Sequence, residues 1–267
     1  LKPGYEAPVC TVTSLGHTVQ MPSRNRTVLV GLVRETGNPL ATRFELRSPN
    51  PKSNTYLVLA ASYMAMLDGI KAALEAGKTS RQLEKSISKE YGEDDFYLDT
   101  NRIYRSERDV FDEYTEDERD QFFGSAPKTV WENIRAFDLY PEKLDIFRRD
   151  DVMTESTLAS YREAVISQWE TELRGRIIPE TMDVLRDCGK AHSDEDCVDF
   201  DRQCWERISR LRDYLGRNTV DETCLLTRII QALEEKDYET ASALQAEMQI
   251  EVEKLINMYL GYKKNLF

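Results

Sequence analysis

The sequence predicts an α+β fold, with a few antiparallel strands near the N-terminus followed by a mainly helical C-terminal region. Three observations carry that prediction. Residues 1–52 are rich in Pro, Gly and Thr and hold two short β-prone runs. From Ser53 the apolar residues change to intervals of three and four. That helical spacing then recurs between turn signals to the end of the chain, with no internal repeat or low-complexity tract. At 267 residues and 40% hydrophobic, the chain can bury a core in one or two domains.

The strand candidates are 27–33, which reads TVLVGLV, and 42–47. Residues 54–76 have the apolar density of a buried helix, with Ser53 or Asn54 placed to cap its start and Gly77 to stop it. A second helix is expected over 80–91, ended by Gly92. Helices over 129–137 and 141–149 follow an acidic stretch, and a long helix begins at Thr154, where Thr154, Ser156 and Thr157 can satisfy the free amides. Pro179 should break or kink that helix, because proline removes a donor and crowds the preceding turn. Ser193 opens another helix, with acidic residues on its first turn and Gly216 at its end. Helices over 220–235 and 238–260 complete the chain. In the last, Ala241, Leu244, Met248, Val252, Leu255 and Tyr259 form a stripe that either packs in the core or makes a coiled contact with a neighbouring subunit.

The run from Arg43 to Arg47, RFELR, holds the candidate chemistry. A strand sends alternate side chains to opposite faces, so Arg43, Glu45 and Arg47 share one face at a spacing of about 7 Å. Phe44 and Leu46 take the other face, where they can pack on a core. A carboxylate between two guanidiniums is either a salt-bridge ladder in solvent or the charged wall of a cleft.

Net charge is −12, from 36 basic and 48 acidic residues. That balance argues against nucleic acid as a partner, since phosphate-backbone binding needs a cationic surface. Residues 93–121 concentrate the acidity, with twelve acidic against four basic side chains, and read as a solvated loop and helix face. No apolar run approaches a membrane span, the longest being 56–66, and the start has no signal-peptide pattern. Five cysteines, none in a C-x-x-C pair, suggest neither a disulfide framework nor a zinc site, and a reduced cytoplasm is the expected compartment. His17 and His192 read as surface residues.

Three blocks in order frame the charged strand: LKPGYEAPV at 1–9, SRNRT at 23–27, and NTYLVLAASYMAMLDGI at 54–70. Together they resemble the C-terminal part of the catalytic domain of glutamine synthetase, whose blocks read close to LVPGYEAPV, ARNRS and RRIEVRxPDPxxNPYLxxAAxLxAGLDGI. The resemblance is dense over 1–76, thinner to about residue 190 and absent over the last helices. It implies that 1–190 is the C-terminal portion of such a catalytic domain and that 191–267 is a helical extension. It also implies that the chain, which starts at Leu1, lacks the N-terminal part of its parent.

What the resemblance implies for single residues follows the motifs. Glu6, in the PGYEAP loop, matches the flap glutamate that helps form the ammonium site and takes a proton from ammonium, a task that suits a carboxylate. Arg26 matches the second arginine of the R-N-R-S block, which contacts phosphate and substrate oxygens; Arg24 matches less clearly. Glu45 matches a metal ligand for Mg²⁺ or Mn²⁺, Arg43 an ATP-contacting arginine, and Arg47 the arginine that engages L-glutamate and the transferring phosphoryl group. The chain departs from the family pattern in three places. About seven extra residues separate Val9 from Arg24, Thr55 stands where the family has proline, and Gly31 stands where the bacterial enzymes have a further phosphate-binding arginine, for which Arg34 is one substitute. Tyr104 lies near the loop whose tyrosine is adenylylated in some bacterial members; its other reading is a surface aromatic.

The activity implied for the parent is ATP-dependent ligation of ammonia to L-glutamate through a γ-glutamyl phosphate, in a ring-forming homo-oligomer without nucleic acid or membrane as a partner. The 267 residues alone are expected to be inactive, since they supply one metal ligand. Two alternatives stay open: a γ-glutamyl amine ligase, and a non-catalytic relative kept for assembly.

Overall fold

A computed structural model describes residues 12–16, 23, 25–35, 37–50, 52–193, 195 and 197–264. The strands are β1 (Thr13–Ser14), β2 (Val30–Val33) and β3 (Arg43–Leu46). The helices are α1 (Thr55–Glu75), α2 (Ser80–Ile87), α3 (Val110–Glu113), α4 (Glu116–Phe123), α5 (Val130–Ile134), α6 (Ala136–Leu139), α7 (Pro141–Arg148), α8 (Glu155–Glu172), α9 (Ile178–Asp187), α10 (Asp199–Gly216), α11 (Leu225–Glu234) and α12 (Tyr238–Lys263). A small sheet near the N-terminus followed by helices is the α+β arrangement the sequence predicts. The chain folds into two compact units. One, the sheet-bearing unit, comprises the described residues up to Pro127 with Phe137–Thr157; the other, the helical unit, comprises Lys128–Ala136 and the chain from Leu158 on.

In the sheet-bearing unit the strand order is β1-β2-β3, and the sheet is mixed. β2 pairs antiparallel with β3, placing Gly31 opposite Glu45 and Val33 opposite Arg43, while β1 runs parallel to β2 with Ser14 beside Gly31. β2 starts three residues later than the sequence predicts because the Asn25 side chain captures Thr27, accepting from its amide at 2.9 Å and its hydroxyl at 2.7 Å. Such a local side-chain turn competes with the ladder. The outer edge of β1 is covered by residues 104–106, with Thr13 N donating to the Tyr104 carbonyl and Ser106 N to that of Thr13. Beneath lies a core of Val12, Val28, Val110 and Phe123, flanked by Ile103, Tyr114 and Phe122.

The apolar side of β3 does not pack in a core as expected, since Phe44 is 67% and Leu46 40% exposed. α1 behaves alike. Asn54 caps it, its side chain accepting from the amides of Tyr56 and Leu57, and Gly77 ends it with φ +59°. Yet Met64 is its one buried residue, and Tyr56, Leu59, Tyr63, Met66, Ile70 and Leu74 face solvent. The helix is also long and apolar enough to cross a membrane by length and composition, which corrects the expectation that no run approaches that length. Its Asp68, midway along, is ion-paired with Arg149 and accepts from the Tyr97 hydroxyl at 2.7 Å, so that face lies against protein. α2 stops at Ile87 instead of reaching Tyr91, because Lys89 turns inward and its ammonium binds the carbonyl of Thr100 at 2.9 Å.

In the helical unit the core gathers Trp169, Leu173, Ile208, Leu215, Leu225, Ile229, Leu233 and Leu255, all essentially free of solvent. The stripe on α12 faces inward, with Ala241, Leu244, Met248 and Leu255 buried and Val252 and Tyr259 half-buried, as the core reading requires. Pro179 neither breaks the helix nor ends it. Five residues of wider π-helix, Leu173–Ile177, join α8 to α9 and admit the proline at the first turn of the following segment. α10 begins at Asp199 and not at Ser193. The acidic group that meets its first amides is Asp201, which accepts from Val198 N at 3.2 Å. Asp201 is held in the interior beside His192, whose Nε2 lies 3.7 Å away. His192, expected at the surface, therefore has a side chain only 9% exposed and is stacked edge-on against Tyr262.

Candidate functional site

The charged face of β3 is built on the bare middle of β2. Arg47 extends the ladder by one residue, its amide donating to the Leu29 carbonyl at 2.8 Å. Its side chain then folds back over the sheet. Nη2 donates to Glu45 Oε2 at 3.2 Å and Nη1 to the Asn25 carbonyl at 3.1 Å. An ideal Cβ on Gly31 would stand 3.2 Å from Nη2, so the guanidinium rests directly on the glycine. The Arg47 side chain is 20% exposed and that of Glu45 42%. Nε of Arg47 is buried without a partner among the described residues.

Of the residues singled out in the sequence, Glu45 and Arg47 are therefore brought together. Arg43 shares their face but is exposed, donates to the Ala41 carbonyl at 3.2 Å and has no acidic partner among the described residues. The acid is thus flanked by one guanidinium, not two. Arg26 is exposed on the loop next to Asn25 and makes no hydrogen bond or ion pair among the described residues. Glu6, Arg24 and His17 lie outside the described residues.

The loop that carries Asn25 is anchored by groups the sequence does not reveal. Asn25 Nδ2 donates to the Arg108 carbonyl, and Ser23 Oγ donates to the Glu107 carbonyl at 3.2 Å. The Glu107 carboxylate accepts from Ser14 Oγ, the amides of Leu15 and Gly16, and Arg105 Nε at 2.8 Å. Burial opposes its charge, but Arg105, the Ser14 hydroxyl and the two amides outweigh that and hold its carboxyl below the ordinary 4.5. Within the acidic stretch, then, the Glu107 carboxylate is internal and structural. Only the i,i+2 spacing of Arg105 and Glu107 hints at it.

The Tyr104 hydroxyl donates to Asp99 Oδ2 at 3.1 Å and accepts from Asp99 N, and burial pushes its phenol above the ordinary range. A groove of about 680 Å³ runs beside α2, lined by Thr79, Arg81, Gln82, Glu84, Lys85, Ser88 and Arg105. None of the candidate residues read from the sequence lines it. No group of three acidic, His or Cys side chains that could hold a metal ion occurs among the described residues. Among the described residues Glu45 is the one carboxylate at this face and it is engaged by Arg47, so these residues do not by themselves fit a divalent cation.

A guanidinium pinned against backbone, with a donor to spare, is suited to a carboxylate or phosphoryl oxygen. The fold and this face thus define an α+β protein whose short sheet displays a paired arginine and glutamate. Residues 1–136, half of the chain, match the family described as glutamine synthetase, catalytic domain. The chain belongs to the glutamine synthetase family. It is 29% identical over 177 residues to a glutamine synthetase of Halobacterium salinarum, covering 64% of this chain and 31% of that protein. It is 46% identical over 78 residues to one of Rhizobium meliloti and 43% over 75 residues to one of Streptomyces filamentosus, covering 29% and 28% of this chain and 15% and 14% of theirs. The chain thus spans less than a third of the length of these curated relatives. No solved structure matches it.

Proposed function

We propose that this chain is the C-terminal portion of an ATP-dependent ligase that joins ammonia to L-glutamate. Membership of the family over residues 1–136 supports the reading. The observation that carries it to the residue level is the Glu45–Arg47 pair lying across Gly31. In the reaction the γ-carboxylate of L-glutamate takes the terminal phosphoryl group of ATP, giving an acyl phosphate and ADP. Ammonia then attacks the acyl carbon and phosphate leaves. Arg47, with Arg26 and Arg43, is the set we assign to substrate and phosphoryl oxygens, because fixed positive charge stabilises an oxyanion most where it needs no reorganisation. Glu6 is the group we assign to the proton of the ammonium nucleophile. Glu45 is the residue we assign as a ligand to Mg²⁺ or Mn²⁺. Residues 1–190 are read as catalytic domain and 191–267 as a helical extension, in a parent that assembles as a homo-oligomer.

Gly31 favours a second reading, a family member without catalysis, because the bacterial enzymes it resembles carry an arginine there. Substitution of Glu45→Ala or Arg47→Ala in the complete polypeptide separates the two. Loss of glutamate- and ammonia-dependent phosphate release by a factor on the order of a hundred supports the ligase. Turnover absent from the start, or untouched by both substitutions, sinks it. The same assay with a panel of amines in place of ammonia decides the acceptor.

A further inference from the structure

Resting on the ligase reading, we infer that Gly31 is a positioning residue for Arg47: its missing side chain is the seat on which the guanidinium lies, and one arginine on a bare strand supplies the oxyanion-binding charge. Backbone conformation does not call for a glycine here. Gly31 lies outside the left-handed region that Gly16, Gly77, Gly92 and Gly124 occupy. It stands instead in the middle of the central strand, paired on one side with Ser14 and on the other with Glu45. A glycine weakens such a position, and its presence marks close approach of another group. That group is identified by the 3.2 Å and 3.7 Å that would separate a Cβ from Nη2 and Cζ of Arg47.

The seat has walls. Asn25 presents its carbonyl to Nη1 on one side, and Glu45 presents Oε2 to Nη2 on the other. Asn25 cannot drift, since its own amide group is tied to the 106–108 loop and its Oδ1 to Thr27. Nε–H is itself buried and has no acceptor among the described residues, so the donors that remain for a ligand are those on Nη1 and Nη2. A long cationic side chain at position 31 and the folded-back Arg47 would claim the same space. The chain keeps the second.

A double-substitution cycle in the complete polypeptide tests this, with inorganic phosphate as the probe and the thermal midpoint as a second readout. Gly31→Ala is expected to weaken phosphate binding about tenfold when Arg47 is present, and less than about twofold in an Arg47→Met background. The thermal midpoint should fall on Gly31→Ala beside Arg47 and rise on the same change beside Met, because without a clash alanine is the better strand residue. Equal effects of Gly31→Ala in both backgrounds would overturn the seat. If Arg47→Met alone leaves phosphate binding and turnover unchanged, the ligase reading fails, and the sign of the thermal cycle still decides whether the guanidinium rests on Gly31.

Discussion

Glu107 receives four hydrogen bonds, from one hydroxyl, two amides and the Arg105 guanidinium, and by doing so ties β1 to the loop that pins Asn25. Its charge is worth most where it is fully ionised. Because its folded carboxyl lies below the ordinary 4.5, its stabilisation is present above that value and is lost as pH falls through the lower folded one. Glu107→Gln is therefore expected to cost about 2–3 kcal/mol near neutral pH, leaving Arg105 short of its anion. The gap between the two proteins should narrow as acidification carries the pH below the ordinary 4.5. Chemical denaturation of both across pH 3–7 measures it, and a gap that is constant with pH would contradict the assignment. At this scale the sequence was legible where alternation rules, since Glu45 and Arg47 do share a face and do meet. It was silent on which guanidinium would turn toward the acid and on the burial of Glu107 and His192, because those follow from partners 70 to 93 positions away or from loop geometry without a local signal.

Among the elements, helix ends follow local chemistry closely. Asn54 was one of two cap candidates, and the structure selects it, with Oδ1 accepting from two amides at 3.0 and 3.2 Å. Asn54→Ala is expected to destabilise the sheet-bearing unit by about 1 kcal/mol, read as a lower denaturant midpoint with an unchanged slope. The start of α10 shows the opposite case. Ser193 and its acidic neighbours carry a good N-terminal signal, but the buried Asp201 takes the capping amide and moves the start to Asp199. Pro179 illustrates a third outcome: proline's missing donor and its bulk are absorbed by one turn of wider helix, with Gly175 four residues before it, so continuity survives a residue that ordinarily ends it.

For the molecule as a whole, all three tryptophans, Trp131, Trp169 and Trp205, lie in the helical unit. Their fluorescence therefore reports that unit's unfolding. Trp169 is fully buried and donates to Gln245 Oε1 at 2.7 Å on α12. Gln245→Leu leaves that indole N–H without an acceptor in a dry core, and a loss of about 1–3 kcal/mol is expected in the fluorescence-detected midpoint. No change would mean that the Trp169–Gln245 bond is not a net contributor. The helical character of this unit was legible from periodicity alone, down to the inward stripe of α12. The depth of its polar pairs was not, since a glutamine at a helical position looks the same whether it meets water or an indole.

The stripe of Tyr56, Leu59, Tyr63, Met66, Ile70 and Leu74 along α1 has a colloidal consequence. Apolar surface left in water gains about 25 cal/mol for every Å² that something covers, so such a ridge makes the chain adhesive toward any greasy neighbour. The net charge of −12 opposes this by holding like molecules apart. Salt screens that repulsion and leaves the adhesion intact, so the concentration at which solutions of this chain cloud should fall as ionic strength rises.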